Sequence, residues 1–164
     1  MSLYVVDANF LIEAHKTYYP LDVIPSFWLK IKDLADNGTI VSIDKVRDEI
    51  YPNPDNLTAW CKKNLPSTFW KGTSVVLTEY TQVSAWTAGK ASHYQQRAIN
   101  EFMDASEADA WLVAYALHTG CKITTYEISN PARKNKIKIP EPCNDLGVRF
   151  LNTNDMFREL GITI

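Results

Sequence analysis

Short apolar segments, spaced far apart along the chain, constrain the fold more than any other feature of this sequence. They are residues 3–6 (LYVV), 39–43 (TIVSI) and 121–125 (CKITT), with 148–152 (VRFLN) as a last candidate. The first is continuously apolar rather than alternating, which is typical of a strand buried on both faces. Strands that alternate with helical segments favour parallel pairing. The sequence therefore predicts an α/β fold, a three-layer α/β/α domain with a central, mainly parallel sheet.

The segments between these strands carry helical patterns. Apolar residues recur at helical spacing in 26–38 (SFWLKIKDLADNG), and Asn37-Gly38 supplies a stop. Asn53 is expected to cap the helix in 53–65, with Pro54 at its first position. Region 67–92 is ambiguous, since SVVLTEY fits a short strand or the start of a helix. Further helices are predicted at 9–16, 44–50, 93–105, 106–120 and 154–160.

Composition sets the class of protein that we expect. The chain has 164 residues, 46% of them hydrophobic, which is enough for one domain over residues 1–164 with a substantial core. Its net charge is −2, so a polyanion would have to meet a local basic patch. Three cysteines without a C-x-x-C pair favour reduced thiols. No segment approaches the roughly 18 apolar residues of a membrane span. We expect a cytoplasmic protein with no membrane contact.

Four acidic residues follow predicted strands or open predicted helices. Asp7 ends the first strand, Glu49 lies in the helix after TIVSI, Asp109 opens the most apolar helix, and Glu127 follows CKITT. Ligands of open parallel sheets bind beyond the carboxyl ends of the strands, where these acids can converge. Clustered carboxylates repel one another and need a cation. Because the set offers neither thiolate nor imidazole, it favours Mg²⁺ or Mn²⁺, which can support phosphodiester hydrolysis.

Each acid also has an ordinary structural explanation. Asp7 is well placed to cap the following helix. Ser106 and Asp109 fit a capping box, in which Asp109 would bond back to Ser106. Glu49 fits an exposed acid in a charged run, and Glu127 fits a loop residue. The sequence leaves these alternatives open for each acid taken singly.

The order of four motifs resembles that of PIN-domain nucleases, the superfamily of the VapC-like toxin ribonucleases. The motifs are VVDANFLI, VRDEI, ADAWLVAYAL and ITTYE. A less characterised PIN-like branch is similar in three further elements, A-D-x-x-L-x-A-x-A, T-x-E and K-I-P-x-x-C, the last being KIPEPC at 138–143 here. The resemblance spans about residues 4 to 157. It departs from the broader family at Glu127, where Asp is usual.

Carried over, the resemblance makes Asp7, Glu49, Asp109 and Glu127 the catalytic residues. Asp7, Glu49 and Asp109 are then ligands of Mg²⁺ or Mn²⁺, and Glu127 is a fourth metal-binding acid that reaches the ion either directly or through water. Asn9 matches a position that holds a polar side chain beside the metal, and so does Thr125. The implied function is a metal-dependent endoribonuclease with an RNA substrate. The resemblance further implies the toxin of a toxin–antitoxin pair, with a cognate antitoxin protein as partner and a possible homodimer.

Two other functions also place an acid after the first strand or use a PIN-like fold. A phosphatase of the aspartyl-phosphate type also begins with Asp after a strand, but it needs a second acid two residues on, where this chain has Asn9. A PIN-like module with little or no catalytic activity, which binds RNA or a protein partner, remains an alternative because Glu127 replaces Asp.

A basic segment, 130–140 (NPARKNKIKIP), lies just beyond Glu127. With Asn9 and Thr125, the predicted substrate-binding residues are Arg133, Lys134 and Lys136, and Lys138 lies in the same segment. Cations here would hold an RNA backbone near the acids, although a solvated loop is the alternative. Among the tryptophans, Trp28 and Trp111 are expected in the core. Stacking on bases and burial at a protein interface are both open for Trp60, Trp70 and Trp86.

Overall fold

The computed structural model describes residues 2–164, which form a five-stranded sheet with all pairings parallel. The strand order is β3-β2-β1-β4-β5. The predicted α/β class and the parallel sheet are confirmed. The strands are β1 Tyr4–Val6, β2 Ile40–Ile43, β3 Trp70–Lys71, β4 Lys122–Thr124 and β5 Phe150–Leu151.

Nine α-helices connect or follow the strands within residues 2–164. They are α1 Ala8–Glu13, α2 Pro25–Asp36, α3 Asp44–Ile50, α4 Asn56–Asn64, α5 Leu77–Ala88, α6 Gln96–Phe102, α7 Asp109–Thr119, α8 Pro140–Leu146 and α9 Thr153–Leu160. A π-helical turn, Ala14–Tyr18, continues α1. The ambiguous region contains two 3₁₀ turns, Ser67–Phe69 and Ser74–Val76, then helix α5, so SVVLTEY leads into a helix and not a strand.

The predicted cap of α4 was wrong. Asp55 is the N-cap, because its extended backbone turns its carboxylate onto the N–H of Thr58 at 2.9 Å. Asn53 instead donates its amide to the carbonyls of Glu49 and Ile50 and so closes the end of α3. Both residues are good capping types, and the tertiary structure selects between them.

The core is built around β1, β2 and α7. Helix α7 buries all seven residues from Ala110 to Ala116, as expected for a helix that is apolar nearly all round. Gly120 ends it with φ of 78°, a left-handed conformation that glycine adopts without strain. Trp28 and Trp111 are buried, as predicted, and Trp111 stacks on Tyr80 of α5 at 3.8 Å between ring centroids. The three cysteines are buried and free.

The sheet register brings two predicted site residues side by side. Val6 pairs with Thr124, so the next residues, Asp7 and Thr125, leave the sheet together. Strand β1 lies between β2 and β4, and the chain runs first to one neighbour and later to the other. A crevice forms at such a switch point beyond the carboxyl ends of the strands. None of the helices in residues 2–164 is both long and apolar enough to cross a membrane.

Candidate functional site

Asp7 is fixed at the crevice by two hydrogen bonds. As N-cap of α1 it accepts the N–H of Phe10 at 2.7 Å, and its second oxygen accepts the hydroxyl of Thr125 at 2.5 Å. Its side chain is buried, and burial raises its pKa from 3.8 to about 7. Nearby charges of Glu127 and Glu49 raise the pKa further, while the two hydrogen bonds oppose the rise. Asp7 therefore caps α1, as one interpretation of the sequence predicted. The same carboxylate also lies near the charges of Glu127 and Glu49.

Asp109 does not take part in the predicted capping box. Ser106 gives both its N–H and its hydroxyl to Asp104, at 2.9 and 2.7 Å, because Asp104 lies two residues before it in a tight turn. No hydrogen bond to the Asp109 carboxylate occurs within residues 2–164, although the side chain is partly buried. Asp109 thus stands at the start of α7 with both oxygens available.

Repulsion from neighbouring carboxylates adds to the effect of burial on the pKa of Asp109. Burial is the largest cause that holds its pKa well above the ordinary value, and the charges of Glu127, Asp7 and Glu49 raise it further. The positive charge of Lys136 lowers the pKa of Asp109. These effects require Glu127, Asp7 and Glu49 to lie near Asp109, since charges farther apart are screened.

Glu49 reaches from α3 to the start of α7. Its Oε1 accepts the N–H of Ala108, the N-cap residue of α7, at 3.2 Å. It is partly buried, which differs from an exposed acid in a charged run. Burial raises its pKa, the Ala108 hydrogen bond and Lys136 lower it, and Glu107 raises it. Glu49 therefore joins two helices while contributing negative charge to the crevice.

Glu127 links two motifs that are distant in the sequence. Its N–H donates to the hydroxyl oxygen of Thr125 at 3.1 Å, and its Oε2 accepts the N–H of Ile139 at 2.8 Å. Thr125 thereby binds Asp7 on one side and the Glu127 backbone on the other. The T-x-E element and the K-I-P-x-x-C element meet at this contact, and the length of the Glu side chain is used to reach Ile139.

The carboxylates do not form a ready-made metal site. Among residues 2–164, no group of three or more His, Cys, Asp or Glu side chains is arranged so that it could hold a metal ion. Mg²⁺ characteristically keeps several waters and is held by one or two carboxylates together with substrate phosphates. The unpaired oxygens of Asp109 and the oxygen-only donor set fit such an ion. When bound, it would supply charge neutralisation at phosphoryl oxygens and an acidified water.

The predicted substrate-binding residues occupy different environments. Asn9 is exposed on α1, whereas Thr125 is buried at 2% exposure and can act only through its neighbours. Arg133 turns away from solvent, with Nη1 4.0 Å from Glu141. Lys134 is exposed, and its carbonyl accepts the N–H of Gln95.

Lys136 is the member of the basic segment that approaches the acids. It is exposed and lies 3.7 Å from Glu101. It also borders a small crevice of about 40 Å³ that Asp109 and Glu107 share. Lys138 is half-buried. The sequence did not distinguish Lys136 from its neighbours, because the route of the loop decides which lysine faces the acids.

Three tryptophans left open by the sequence are all partly buried. Trp60 contacts Trp28 edge to face, and Trp70 donates its indole N–H to the Tyr51 hydroxyl at 3.1 Å. Trp86 donates to Asp145 at 2.8 Å.

Sequence reasoning missed the backbone donors that bind two of the acids. These are the N–H groups of residues 108 and 139, and side-chain patterns carry no information about them.

Comparison with solved structures supports the fold. This chain is similar to a chain of VapBC2 from Rickettsia felis, with a TM-score of 0.54 and 12% sequence identity. That crystal structure contains VapBC2 bound to a DNA fragment from its own promoter. The likeness covers 92% of this chain and 98% of that chain. At this identity it bears on the fold alone, and it confirms the PIN-like three-layer architecture predicted from the sequence motifs.

Comparison at the sequence level identifies a family for this chain but no curated relative. No curated protein matches the chain significantly. One family model matches residues 4–164, which is nearly the whole chain. The chain therefore belongs to the family described as a domain of unknown function, DUF4411.

Proposed function

We propose that this protein is a metal-dependent endoribonuclease, and that it acts as the toxin of a toxin–antitoxin pair. The observation that carries the proposal is a set of contacts: the Thr125 hydroxyl joins Asp7 to the backbone of Glu127, and Glu49 binds the N–H of the residue before Asp109. These acids come from four separate elements of the chain, and the charges of the other three raise the pKa of Asp109.

The four acids are proposed to have different roles. Asp109 has no hydrogen-bond donor in the described chain, so it is the carboxylate most available to a cation. Asp7 is held in one orientation by Phe10 and Thr125. Glu49 and Glu127 each use one oxygen for a backbone N–H and keep the other for a ligand or its waters. The proposed ion is Mg²⁺ or Mn²⁺.

RNA is the proposed substrate, and Lys136 is proposed to hold its backbone beside the acids. An anionic crevice repels a polyanion unless cations lie close to it. Lys136 is exposed and near enough to lower the pKa of Asp109 and Glu49. Lys134, which is also exposed, extends the positive charge along the loop.

The proposed partner is an antitoxin protein. The solved relative VapBC2 is a complex, and its chain shares this fold. An intracellular RNA-cutting enzyme needs restraint, so we propose that a cognate antitoxin covers the acidic crevice. A homodimer is proposed as well, and sedimentation of the purified chain would test it.

The proposal is tested by incubating the purified chain with structured RNAs in the presence of Mg²⁺ or Mn²⁺. Cleavage is expected with either ion, and a chelator should abolish it. Asp109→Asn should also abolish it, since this residue has the least structural role of the four. Asp104→Asn is the matched control: this nearby acid is exposed and its Asn replacement retains an acceptor for Ser106.

Two outcomes would contradict the nuclease proposal. Cleavage that survives in Asp109→Asn would assign the activity to a contaminant or another site. Metal-independent RNA binding without cleavage, unchanged in Asp109→Asn, would support the inactive binding module instead. In cells, induced expression of the parent chain should arrest growth, and Asp109→Asn should relieve the arrest.

A further inference from the structure

A cavity with aromatic walls lies beside the ends of strands β4 and β5. This space, the tyrosine cavity, has a volume of about 440 Å³. Its apolar walls are formed by Tyr18, Tyr126, Ile128, Phe150 and Leu151. Sites for small ligands are typically concave, with apolar and aromatic walls and a few polar groups, and a few hundred cubic ångströms are enough for a nucleobase.

One side of the tyrosine cavity is shared with the acids. Tyr126 stands between Thr125 and Glu127, and both of these neighbours line the cavity. The Thr125 hydroxyl binds Asp7 at 2.5 Å, and the Glu127 carboxylate binds the N–H of Ile139 at 2.8 Å. A group bound in the cavity is therefore separated from Asp7 by a single residue, Thr125.

Tyr18 brings an exposed ring to this cavity. It stacks on Tyr126 with 4.9 Å between the ring centroids and 24° between the ring planes. Its surface is 51% exposed, so Tyr126 covers only part of the ring. Ile128, in the same cavity, is 78% exposed. Large apolar side chains that are exposed together, unlike those scattered singly, indicate a surface that binds something.

The backbone holds Tyr18 in place before any ligand arrives. Tyr18 ends the π-helical turn, which the N–H of Tyr19 closes by donating to the carbonyl of Ala14 at 2.7 Å. The Tyr19 ring stacks on Phe27 at 4.1 Å between centroids, and its carbonyl accepts the Trp28 indole N–H at 2.6 Å. Single π-helical turns are rare and frequently occur at functional sites. Because the ring is positioned in advance, stacking on it costs little conformational entropy.

The charges around the cavity favour an uncharged group. Its acidic residues are Glu127 and Asp155, and Asp155 forms an ion pair with Arg158 at 2.7 Å. Among residues 2–164, no lysine or arginine lines the cavity, so a phosphate inside it would meet carboxylates alone. A nucleobase is uncharged and planar, and its face packs well against an aromatic ring.

We propose that the tyrosine cavity binds one unpaired base of the RNA strand, stacked on Tyr18, next to the phosphate at the acids. The inference rests on the proposed nuclease function and specifies its substrate class, a single strand or a loop rather than a continuous duplex. Bases inside a duplex are covered by their neighbours, whereas an unstacked base offers its face to an aromatic side chain. Stacking tolerates all four bases, because each has a π-face.

The experiment is a titration of the full chain with a short fluorescently labelled RNA that cannot pair with itself, followed by fluorescence anisotropy. Chelator prevents metal-dependent cleavage, and low salt favours binding of the backbone. The same RNA annealed to its complement is the comparison ligand. We expect saturable binding of the single strand, with an affinity about tenfold or more above that for the duplex, the factor that one stacked base supplies.

Substitutions at Tyr18 separate stacking from other effects. Tyr18→Ala should weaken binding of the single strand about tenfold, and Tyr18→Leu should weaken it nearly as much, because leucine is apolar but has no π-face. Tyr18→Phe and Tyr18→Trp should retain binding. Val23→Ala is the matched control, since Val23 is 68% exposed but lies outside the cavity, and it should leave the affinity unchanged. Thermal unfolding checks that each variant folds.

The same variants give a second measurement when Mg²⁺ is present. The parent chain is expected to cut single strands and loops and to spare a continuous duplex. Tyr18→Ala should raise KM for a single strand about tenfold, because the base loses its stacking partner while the acids are unaltered. Val23→Ala should cleave as the parent does.

The outcomes separate this inference from the nuclease proposal. The base site is refuted if Tyr18→Ala or Tyr18→Leu binds the single strand as tightly as the parent, or if the parent shows no saturable binding. Binding that depends on an aromatic ring at position 18, in a chain that cleaves no RNA with either metal, would overturn the nuclease and keep the base site. Equal cleavage of duplex and single strand, unchanged in Tyr18→Ala, would overturn the base site alone. Unchanged RNA affinity together with loss of self-association in Tyr18→Ala, measured by sedimentation, would assign the cavity to a second copy of the chain instead.

Discussion

Replacement of Asp7 by Asn should stabilise the protein, by an amount that grows with pH. The pKa of Asp7 is raised from 3.8 to about 7 in the folded state, chiefly by burial. The folded state therefore holds the proton more tightly than the unfolded state, and ionisation of Asp7 opposes folding. The parent protein loses stability as pH rises from about 4 to 7, and the full cost remains above pH 7.

The magnitude follows from the shift. About three pKa units correspond to roughly 4 kcal/mol at pH 8 and to roughly 2 kcal/mol at pH 5. Asn retains an oxygen for the Phe10 N–H, and its amide can donate to the Thr125 hydroxyl oxygen, so the local contacts survive. Asp7→Asn should then unfold on the order of 10 °C higher than the parent at pH 8, with a much smaller difference near pH 4.

Thermal and urea unfolding in chelator between pH 4 and 8 would measure this difference. Asp55→Asn is the matched control, because Asp55 is also an N-cap that accepts a backbone N–H but is exposed. It should change stability by less than about 1 kcal/mol at every pH. Added Mg²⁺ should stabilise the parent more than Asp7→Asn. A gap between Asp7→Asn and the parent that is constant with pH, or equal Mg²⁺ stabilisation of the two, would refute the reasoning.

Three other substitutions address the remaining contacts of the acids. Thr125→Val removes the donor to Asp7 and the acceptor for a backbone N–H, and should cost about 1–3 kcal/mol in urea unfolding, whereas Thr125→Ser should cost less. Glu49→Ala should lose about 1 kcal/mol through the Ala108 hydrogen bond, and Glu49→Gln, which keeps an acceptor, should not; equal losses would contradict this role. Lys136→Met should move the acidic limb of the pH profile for RNA cleavage to higher pH, because Lys136 lowers the pKa of Asp109, and an unmoved limb would count against that contact.

Elements with a strong local pattern were predicted closely from the sequence. The segment TIVSI gives β2, DKVRDEI gives α3 with the same bounds, and the apolar helix before Gly120 gives α7. In each case the residues that form the element also determine it, through a buried run or a helical face. Local chemistry was therefore sufficient for these elements.

Elements that depend on distant contacts were missed. Strand β3 has only two residues, Trp70 and Lys71, and exists because it pairs with β2 at the sheet edge. Helix α8 begins with Pro140 and carries Pro142 in its first turn, where the missing N–H groups are tolerated. From the sequence alone, these prolines suggest that no helix continues here. The structure shows the reverse, because both prolines stand in the first turn of a helix.

For the candidate site, the sequence predicted which acids to consider but not how each is held. The Ser106 capping box failed because Asp104 competes for both donors of Ser106. The roles of Glu49 and Glu127 as acceptors for backbone N–H groups depend on residues 59 and 12 positions away. No periodicity reports such a contact, because the partner is a backbone group that every residue but proline possesses.

These contacts determine which acid gives the clearest test of function. Asp7, Glu49 and Glu127 each accept a backbone N–H, so truncating any of them removes a structural hydrogen bond as well as a negative charge. Natural sequences often place buried charged groups where function needs them, at a cost in stability. Asp109 has no hydrogen bond to maintain and feels the other three charges. Its neutralisation should therefore relieve repulsion without loosening a helix, so a loss of activity in Asp109→Asn accompanied by unchanged or higher stability would be attributable to chemistry alone.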